Sequence, residues 1–475
     1  MPVVQLVWFR SDLRVYDNAA LTEAMAQGPT IALFVAFRQS WYQHDMAPVK
    51  QDLIRRRVQA LQQELAGLNV PLLLVEGNSY QDVQSVFEQL LPLGIARVYT
   101  EVEYELRERR RDQVLKDWLA VRGVAWWQCD RQCVFVPGSF VNGSGAMYQV
   151  YTPFKKRWLQ RFAEQGVQVL AKPKPQAPVV LDLPLVTPMQ GGNNSSADWP
   201  VQQDDVMQQL RHFCQQQVQD YQKLRDLPAL DATSRLSPYL AIGAISVRQC
   251  IARLQVEAGA DLQQANSGAS VWLSELIWRD FYKHVLVAWP DLIKHQPFQT
   301  DTAAIRWHND ETLFQAWCDG TTGYPLVDAA MRQLNQTGWM HNRLRMVVAS
   351  FLVKDLHIDW RWGERYFMSR LIDGDFAANN GGWQWAASTG TDAAPYFRIF
   401  NPVTQSERFD PDGIFIRNWV PELARLPNQH IHWPHKLPMS KEYPGAVVDH
   451  AKARQVTLEL FRHARQQGEK SDEST

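Results

Sequence analysis

The sequence predicts two folded domains: an N-terminal α/β domain with a doubly wound parallel sheet, and an all-α C-terminal domain. Over residues 1–130, short apolar runs alternate with helical stretches. Residues 171–200 are rich in Pro, Gly, Asn and Ser, which is typical of a connector. After residue 201 helical periodicity dominates. We therefore place the α/β domain at 1–130, a long interdomain linker at 131–200 and the helical domain at 201–475.

The α/β domain is predicted from five apolar runs of strand length. These runs are Val4–Phe9, Ile31–Phe37, Val70–Val75, Ile95–Thr100 and Val124–Gln128. Amphipathic stretches such as Gln51–Leu68 and Tyr104–Val121 separate some of them and predict helices. The loop after the first run, RSDLRVYDN, lacks the glycines of a dinucleotide-binding turn. The usual reason for assigning a dinucleotide to this domain is therefore missing.

Later parts of the chain are predicted to be mainly helical. Within the linker, Met147–Leu159 is expected to be ordered, with Pro153 starting a short basic helix. Apolar residues recur at helical spacing from Val206 to Leu224. The polar tail after Ala453 is expected to fray.

Composition limits the classes of function. The formal net charge is −1, so any contact with nucleic acid must come from a local basic patch. Of the five cysteines only Cys129 and Cys133 are close in sequence, and no second pair completes a zinc site. Neither a secretion signal nor a run of membrane-spanning length is evident. We expect a monomeric cytoplasmic protein that binds no metal and no membrane.

The segment Asp373–Pro402 predicts the wall of a ligand site. It combines two acids, two adjacent Asn, a Gly pair and two Trp without clear apolar periodicity. Glycines let the backbone approach a flat ligand, and amides and indoles can bind its edge and face. The alternative is a glycine-broken loop with core tryptophans. That is less favoured, because Asn379 and Asn380 beside Trp383 would be costly to bury without partners.

Two further motifs have a functional and a structural interpretation. TSRLS, at Thr233–Ser237, places hydroxyls and an Arg before Pro238, which suits a diphosphate at a helix start or a plain serine N-cap. In the predicted helix Val271–His284, an acid lies among aromatic residues on one face and could bind a buried polar ligand or pair locally with an Arg. The residues on that face are Trp272, Glu275, Trp278, Arg279 and Tyr282.

The motif GWMHNRLRM, at Gly338–Met346, predicts a helical turn with a cationic face. It brings Asn342, Arg343 and Arg345 together, with Met346 four residues after Asn342. The two cations could serve phosphates or an acid of the Asp373–Pro402 segment. A structural role is expected for the neighbouring His341.

Taken together, these motifs with SELIWRDF and TGYPLVDAAMRQL resemble the flavin-binding half of the photolyase/cryptochrome family. WFRSDLRVYDN is similar to its first strand and loop. Within the family the chain most resembles the bacterial class I photolyases of cyclobutane pyrimidine dimers (CPDs). The resemblance implies FAD bound inside the helical domain. The residues implied to bind FAD are Tyr221, Thr233, Ser234, Arg235, Leu236, Ser237, Trp272, Arg279, Arg345, Asp373, Gly374 and Asp375.

The resemblance also implies the reaction: light excites bound FADH⁻, an electron passes to a pyrimidine dimer in DNA, the cyclobutane bonds break and the electron returns. Glu275, Asn342 and Met346 are implied to contact the dimer, and Asn379 to face flavin N5. Arg345 is implied to pair with Asp373. Trp383, Trp360 and Trp307 are implied to relay electrons to the flavin. The positions implied to contact UV-damaged DNA are Arg225, Trp278, Arg343, Trp385, Arg398 and Gln405.

An antenna pigment, 5,10-methenyltetrahydrofolate, is implied at Glu108 and Lys294. Arg107 stands where the family usually has Asn, which leaves the identity and presence of the antenna open. Two alternative functions remain: a cryptochrome-like photoreceptor, which usually has a long regulatory tail, and a (6-4) photolyase, which has a pair of active-site His. Here Asn342 and Met346 occupy the corresponding region, which disfavours the latter.

Overall fold

The computed structural model describes residues 3–179, 196–437 and 442–472. The chain divides into two compact units. The first unit consists of Met1–Gln222, Ser234–Pro290 and Ile372–Gly374, and the second of Lys223–Thr233, Asp291–Leu371 and Asp375–Thr475. The domain limits predicted at residues 130 and 200 stay predictions, and residues 180–195 of the predicted linker lie outside the described residues.

The first unit contains a five-stranded parallel sheet with the strand order β3-β2-β1-β4-β5. The strands are β1 (Val4–Phe9), β2 (Thr30–Phe37), β3 (Leu72–Gly77), β4 (Ile95–Glu101) and β5 (Ala125–Cys129). All five apolar runs are therefore confirmed as strands. β1 and β2 are buried along their whole length, as expected for inner strands of a parallel sheet covered on both faces.

Eleven α-helices precede residue 290 in the described chain. They are α1 (Ala19–Gln27), α2 (Arg38–Gln43), α3 (Pro48–Ala66), α4 (Val83–Glu88), α5 (Leu106–Ala120), α6 (Tyr151–Gln165), α7 (Gln203–His212), α8 (Tyr221–Leu224), α9 (Ser237–Ile242), α10 (Val247–Ala258) and α11 (Gly268–Ala288). The predicted basic helix is confirmed as α6, but it begins at Tyr151, two residues before Pro153. The apolar face of α6 carries Phe154 and Trp158, both buried.

The second unit is helical in its described part. Its longer helices are α12 (Glu311–Asp319), α13 (Pro325–Thr337), α14 (Asn342–Lys354), α15 (Trp360–Arg370), α16 (Phe376–Ala387), α17 (Pro402–Phe409), α18 (Ile414–Trp419), α19 (Asn428–Ile431) and α20 (His450–Asp472). One apolar cluster from α13, α14, α15 and α16 forms its core. The second half of α14 is buried from Val347 to Lys354, so this helix runs through the core.

One expectation about the second unit was wrong, and one helix in it has no apolar signal in the sequence. The chain after Ala453 does not fray, because α20 continues to Asp472 and buries Phe461 and Ala464 against Ile305. The Asp373–Pro402 segment showed no apolar periodicity, yet residues 376–387 form α16. The side chain of Asp375 caps this helix by accepting from the N–H of Ala378 at 3.1 Å, which a scan for apolar periods does not detect.

Among the described residues, no helix is both long and apolar enough to cross a membrane. In the same part of the chain, no group of three or more His, Cys, Asp or Glu residues could hold a metal ion.

Candidate functional site

The TSRLS turn leads into α9, whose start lacks a side-chain cap. The N-cap residue is Leu236, and Ser237 donates its hydroxyl to Asp373 Oδ2 at 2.6 Å. Arg235 has a left-handed φ of 49°, an uncommon conformation for a residue other than Gly. The serine N-cap alternative is therefore wrong. The side chain of Leu236 makes no capping hydrogen bond, and backbone N–H groups at a helix start are donors suited to a diphosphate.

Asp373 and Gly374 also belong to the first unit. The buried ammonium of Lys50 donates to the Gly374 carbonyl at 2.6 Å, and Asp373 accepts from Ser237. The structure thus brings the turn before α9 to the start of the Asp373–Pro402 segment, 136 residues later in the chain. Two motifs that suggested a ligand separately therefore share one location in the first unit.

Helix α11 confirms the predicted spacing of its aromatic face. Tyr221 and Trp272 are both buried and meet at Phe213, with ring centroids 5.7 and 4.9 Å from it. Arg279 donates to the carbonyl of Gln132 at 2.7 Å. These contacts hold three of the predicted flavin-binding residues in the first unit.

Trp278 stacks on Tyr151 of α6, a contact that the sequence did not reveal. Their ring centroids are 3.6 Å apart and the planes differ by 8°. Tyr151 donates its hydroxyl to the carbonyl of Ser274 at 2.8 Å, and Lys155 donates to the Ser274 hydroxyl at 2.6 Å. Burial lowers the pKa of Lys155, and the nearby Glu275 opposes this shift. Tyr151 therefore covers one face of the Trp278 indole.

In the second unit, the start of α14 gathers basic residues around one acid. Arg343 donates to Asp226 at 3.2 and 2.8 Å, and Arg225 lies 3.9 Å from the same carboxylate. Two of the predicted DNA-contacting arginines are thus neighbours. Arg345 donates to the carbonyl of Met340 at 2.8 Å. Asn342 is exposed and Met346 is half-buried.

His341 is the N-cap of α14, in agreement with its expected structural role. Its Nδ1 accepts from the N–H of Arg343 at 3.2 Å. Burial lowers the pKa of His341 to about 4, the nearby arginines add to this shift and Asp226 opposes it. Since an unfolded His titrates near pH 6.5, the neutral cap contributes stability that is complete above pH 6.5 and is lost as the pH falls towards 4.

We expect His341→Asn to reduce the acid sensitivity of the protein, because Asn can cap α14 but does not titrate in this range. Between pH 7 and pH 5 the melting temperature should fall less for the variant than for the parent. Exposed His463→Asn is the control and should follow the parent. Parallel pH curves for His341→Asn and the parent would show that the cap does not titrate as described.

The polar side of α16 is fixed by Glu364 of α15. Asn379 donates its amide to the Glu364 carbonyl at 2.9 Å, and Asn380 donates to the Glu364 carboxylate at 2.8 Å. His295 Nδ1 lies 2.7 Å from the other carboxylate oxygen. The amides are therefore satisfied by a buried acid that the sequence had not singled out. This network holds the predicted N5-facing Asn379 in one orientation.

The three relay tryptophans occur in one apolar cluster of the second unit. Trp383 and Trp360 are buried in it, and Trp307 packs against it from a half-buried position. Gly363 allows α15 to approach α16, because a Cβ there would lie 2.1 Å from the Trp383 ring. Trp317, which the sequence had not singled out, is also in contact, with its ring centroid 6.0 Å from that of Trp383.

The remaining predicted DNA positions lie on α16, on α17 and in the segment that joins them. Trp385 is half-buried on α16, Arg398 is exposed in the joining segment and Gln405 is half-buried on α17. The guanidinium of Arg343 lies 4.5 Å from the ring of Phe409, at the end of α17.

The two predicted antenna residues differ in their surroundings. In the first unit, the buried Glu108 accepts from the Tyr80 hydroxyl at 2.8 Å and lies 3.4 Å from His44 Nδ1. In the second unit, the Lys294 side chain is 58% exposed and pairs with Asp291 at 2.8 Å. The Glu108 carboxylate is therefore already engaged by protein groups.

Comparison with protein families gives two matches that together span much of the chain. Residues 5–178 match a family described as DNA photolyase, and residues 272–463 match the FAD binding domain of DNA photolyase. The chain is 51% identical to the deoxyribodipyrimidine photo-lyase of Vibrio cholerae, over 97% of this chain and 100% of that protein. It is 46% identical to the enzyme of the same name from Escherichia coli, over 97% of this chain and 98% of that protein.

Solved structures agree with these matches. A class III photolyase from Agrobacterium tumefaciens superposes with a TM-score of 0.84 at 33% identity, covering 98% of both chains. A cryptochrome from Synechocystis superposes with a TM-score of 0.82 at 27% identity, covering 97% of this chain and 99% of that one.

Proposed function

The chain belongs to the DNA photolyase family, and on this premise we propose that it is a lyase that repairs cyclobutane pyrimidine dimers in DNA by a light-driven reaction. The observation that carries the proposal is identity of 46–51% over nearly the whole chain to proteins named deoxyribodipyrimidine photo-lyase. The alternatives of a cryptochrome-like photoreceptor and a (6-4) photolyase are less favoured, since these relatives carry the name deoxyribodipyrimidine photo-lyase.

FAD is the cofactor, in agreement with the match to the FAD binding domain. When bound in its reduced form it supplies the light-excited electron, and the protein binds, orients and shields the reacting groups. We propose that the uncapped start of α9, with Ser237 and Asp373, holds the phosphates or ribose, while Tyr221, Trp272 and Arg279 hold the remaining parts. The other proposed contacts are Thr233, Ser234, Arg235, Leu236, Arg345, Gly374 and Asp375.

The dimer would be recognised outside the DNA stack. Flipping the two linked pyrimidines of one strand out of the helix costs a few kcal/mol of unstacking and unpairing, and this cost is least at damaged sites that are already poorly stacked. We propose that Trp278 and Trp385 pack against the flipped pyrimidines and that Asn342 and Met346 contact them. Glu275 would hydrogen-bond the dimer. With Tyr151 on one face of Trp278, the indole can offer the dimer only its other face or an edge.

DNA contact is proposed for a local basic set, because the net charge of −1 gives no overall attraction. Arg225 and Arg343 share Asp226, so this acid fixes two cations that would otherwise repel each other. Arg398 and Gln405 would add backbone contacts. Trp383, Trp360 and Trp307 would carry electrons from the surface to an oxidised flavin, and Asn379 would tune its N5.

We also propose a folate antenna with Glu108 and Lys294 among its contacts. Tyr80 and His44, which contact the Glu108 carboxylate, would then either move away from it or contact the folate as well. The expected monomeric state and cytoplasmic location also remain proposals.

The proposed function is tested with protein whose bound FAD has been reduced. This protein is incubated with an oligonucleotide that bears one thymine dimer, under blue light and in the dark. Chromatography of the strand should show conversion to the undamaged thymines in light alone. Equal conversion in the dark, or none in light, would overturn the proposal. A strand without the dimer controls for damage caused by the light itself.

A further inference from the structure

Lys354 is a buried cation for which the proposed reaction has no use. It is the last residue of α14, and only 1% of its surface is exposed. Burying an ammonium costs several kcal/mol unless hydrogen bonds replace its water, and an apolar side chain of similar volume would fill the position at no such cost. Packing alone therefore does not explain a lysine here.

Two hydrogen-bond partners of the ammonium lie on the segment that joins α16 to α17. Lys354 Nζ donates to the Ser388 hydroxyl at 2.9 Å and to the carbonyl of Arg398 at 3.1 Å. Ser388 ends α16 with a left-handed φ of 60°, so it marks the point where the chain turns away from the helix. The ammonium thus joins both ends of an eleven-residue segment, Ser388–Arg398.

This segment carries exposed groups at its far end. Phe397 is 61% exposed and the Arg398 side chain is also exposed, whereas the main chain of Arg398 is held by the buried Lys354. Burial lowers the pKa of Lys354 to about 8; the nearby Asp355 opposes this shift and Arg398 adds to it. The ammonium therefore remains largely protonated at neutral pH.

The opposite side of the same helix end has a separate task. The Lys354 carbonyl accepts from the Thr457 hydroxyl at 2.6 Å, and His450 Nδ1 lies 2.5 Å from Asp355 Oδ1. These contacts hold α20 and involve no atom of the Ser388–Arg398 segment. α20 also packs on the segment itself, because Phe461 and the Arg465 guanidinium lie 5.6 and 4.5 Å from the ring of Tyr396. A control for general stability must therefore lie elsewhere in the unit.

We infer that Lys354 is a positioning residue for DNA binding, which fixes the Ser388–Arg398 segment so that the Arg398 side chain is presented to the phosphate backbone. The inference rests on the proposed function, because it assumes that damaged DNA is the ligand. Lys354 acts through Arg398 and does not itself contact DNA.

The test is a double-mutant cycle of Lys354→Met and Arg398→Ala, with affinity for dimer-bearing duplex measured in the dark on FAD-loaded protein. Each single change removes or misplaces one charged contact to the DNA backbone, so each single variant should bind about tenfold more weakly. Because Lys354 acts through Arg398, the two losses should not add. The double variant should bind DNA as tightly as whichever single variant has the lower affinity. In both single variants, the slope of the logarithm of the binding constant against the logarithm of the salt concentration should become shallower by about one, which corresponds to one lost phosphate contact.

Two further variants separate positioning from general stability. Ser388→Ala removes one hydrogen-bond partner of the ammonium and keeps the charge, so it should weaken DNA binding less than Lys354→Met does. Combined with Arg398→Ala, it should not lower the DNA affinity below that of Arg398→Ala alone. It serves as the test if Lys354→Met does not fold. Tyr443→Phe removes the buried hydrogen bond from Tyr443 to Asp328, which involves no atom of the segment, and should lower the melting temperature while leaving DNA affinity unchanged.

The inference would be overturned if the losses of binding free energy in Lys354→Met and Arg398→Ala added up in the double variant. It would also be overturned if folded Lys354→Met and Ser388→Ala bound DNA as tightly as the parent. Neither result would touch the proposed function. If the parent protein shows no preference for dimer-bearing duplex, the inference and the proposed function fail together.

Discussion

Trp383→Phe is expected to abolish the light-driven reduction of oxidised FAD and to leave dimer repair by chemically pre-reduced protein largely intact. Trp383 is 2% exposed, and its ring centroid lies 5.0 Å from that of Phe367 and 6.0 Å from that of Trp317. Phenylalanine fills most of the same apolar space, but its ring is much harder to oxidise than an indole. The variant therefore removes an electron donor while keeping most of the packing.

The measurement is the absorbance of oxidised FAD under blue light with an external reductant, followed by a repair assay on dithionite-reduced protein. Trp419→Phe is the matched control, because Trp419 packs against the same apolar cluster but is outside the proposed relay. Persistence of photoreduction in Trp383→Phe would contradict this relay and would indicate another route, for example one that starts at Trp317.

Glu275→Ala is expected to lower the repair yield per absorbed photon roughly two- to tenfold while FAD stays bound, because without this hydrogen bond cleavage of the reduced dimer competes less well with return of the electron. Glu275 is half-buried on α11, one turn before Trp278 and close to Lys155. Its proposed partner is the dimer, which gains negative charge when it accepts the electron. Glu275→Gln places an amide N–H donor at the same position and should lose less activity than the Ala variant.

The yield is measured on reduced protein with a saturating amount of dimer-bearing strand, so that weaker binding does not mimic weaker chemistry. FAD content is read from absorbance. Glu257→Ala, on the neighbouring α10, is the control. Loss of FAD from Glu275→Ala, with normal yield per remaining flavin, would show that Glu275 serves the cofactor and not the dimer.

The sheet and many of the helices could be predicted because their signal is local. Each strand of the first unit is a short apolar run, and burial of β1 and β2 on both faces requires that composition. Helix α16 could not be predicted in this way, because it buries Asn380 and Gln384 alongside Trp383 and has no continuous apolar stripe. The cap from Asp375 is its clearest local signal.

Contacts between distant parts of the chain could not be predicted from local patterns. Tyr151 stacks on Trp278 across 127 residues of sequence, and nothing near either residue indicates the other. Similarly, Glu364 and Lys354 are buried charges, and nothing near either residue in the sequence indicates its partners. Their partners come from other helices and loops, so their importance becomes visible only after the chain has folded.

The assignment of residues to FAD, dimer and DNA came from family resemblance, because spacing alone supported both a ligand and a structural interpretation. The structure removes one ambiguity: Ser237 bonds to Asp373 and does not cap α9. The Ser237–Asp373 hydrogen bond could not be predicted from TSRLS alone. A hydroxyl-rich sequence of this kind is compatible both with a serine that caps the helix and with one that does not.

The most direct test of the account is repair of a single duplex that carries one cyclobutane thymine dimer and one (6-4) photoproduct. Reduced, FAD-loaded protein is added under blue light, and both lesions are counted by chromatography after nuclease digestion. We predict that the cyclobutane dimer alone is lost, in light alone. Loss of the (6-4) photoproduct in its place, or persistence of both lesions in light, would contradict the assignment of this protein as a light-driven repair enzyme for cyclobutane pyrimidine dimers.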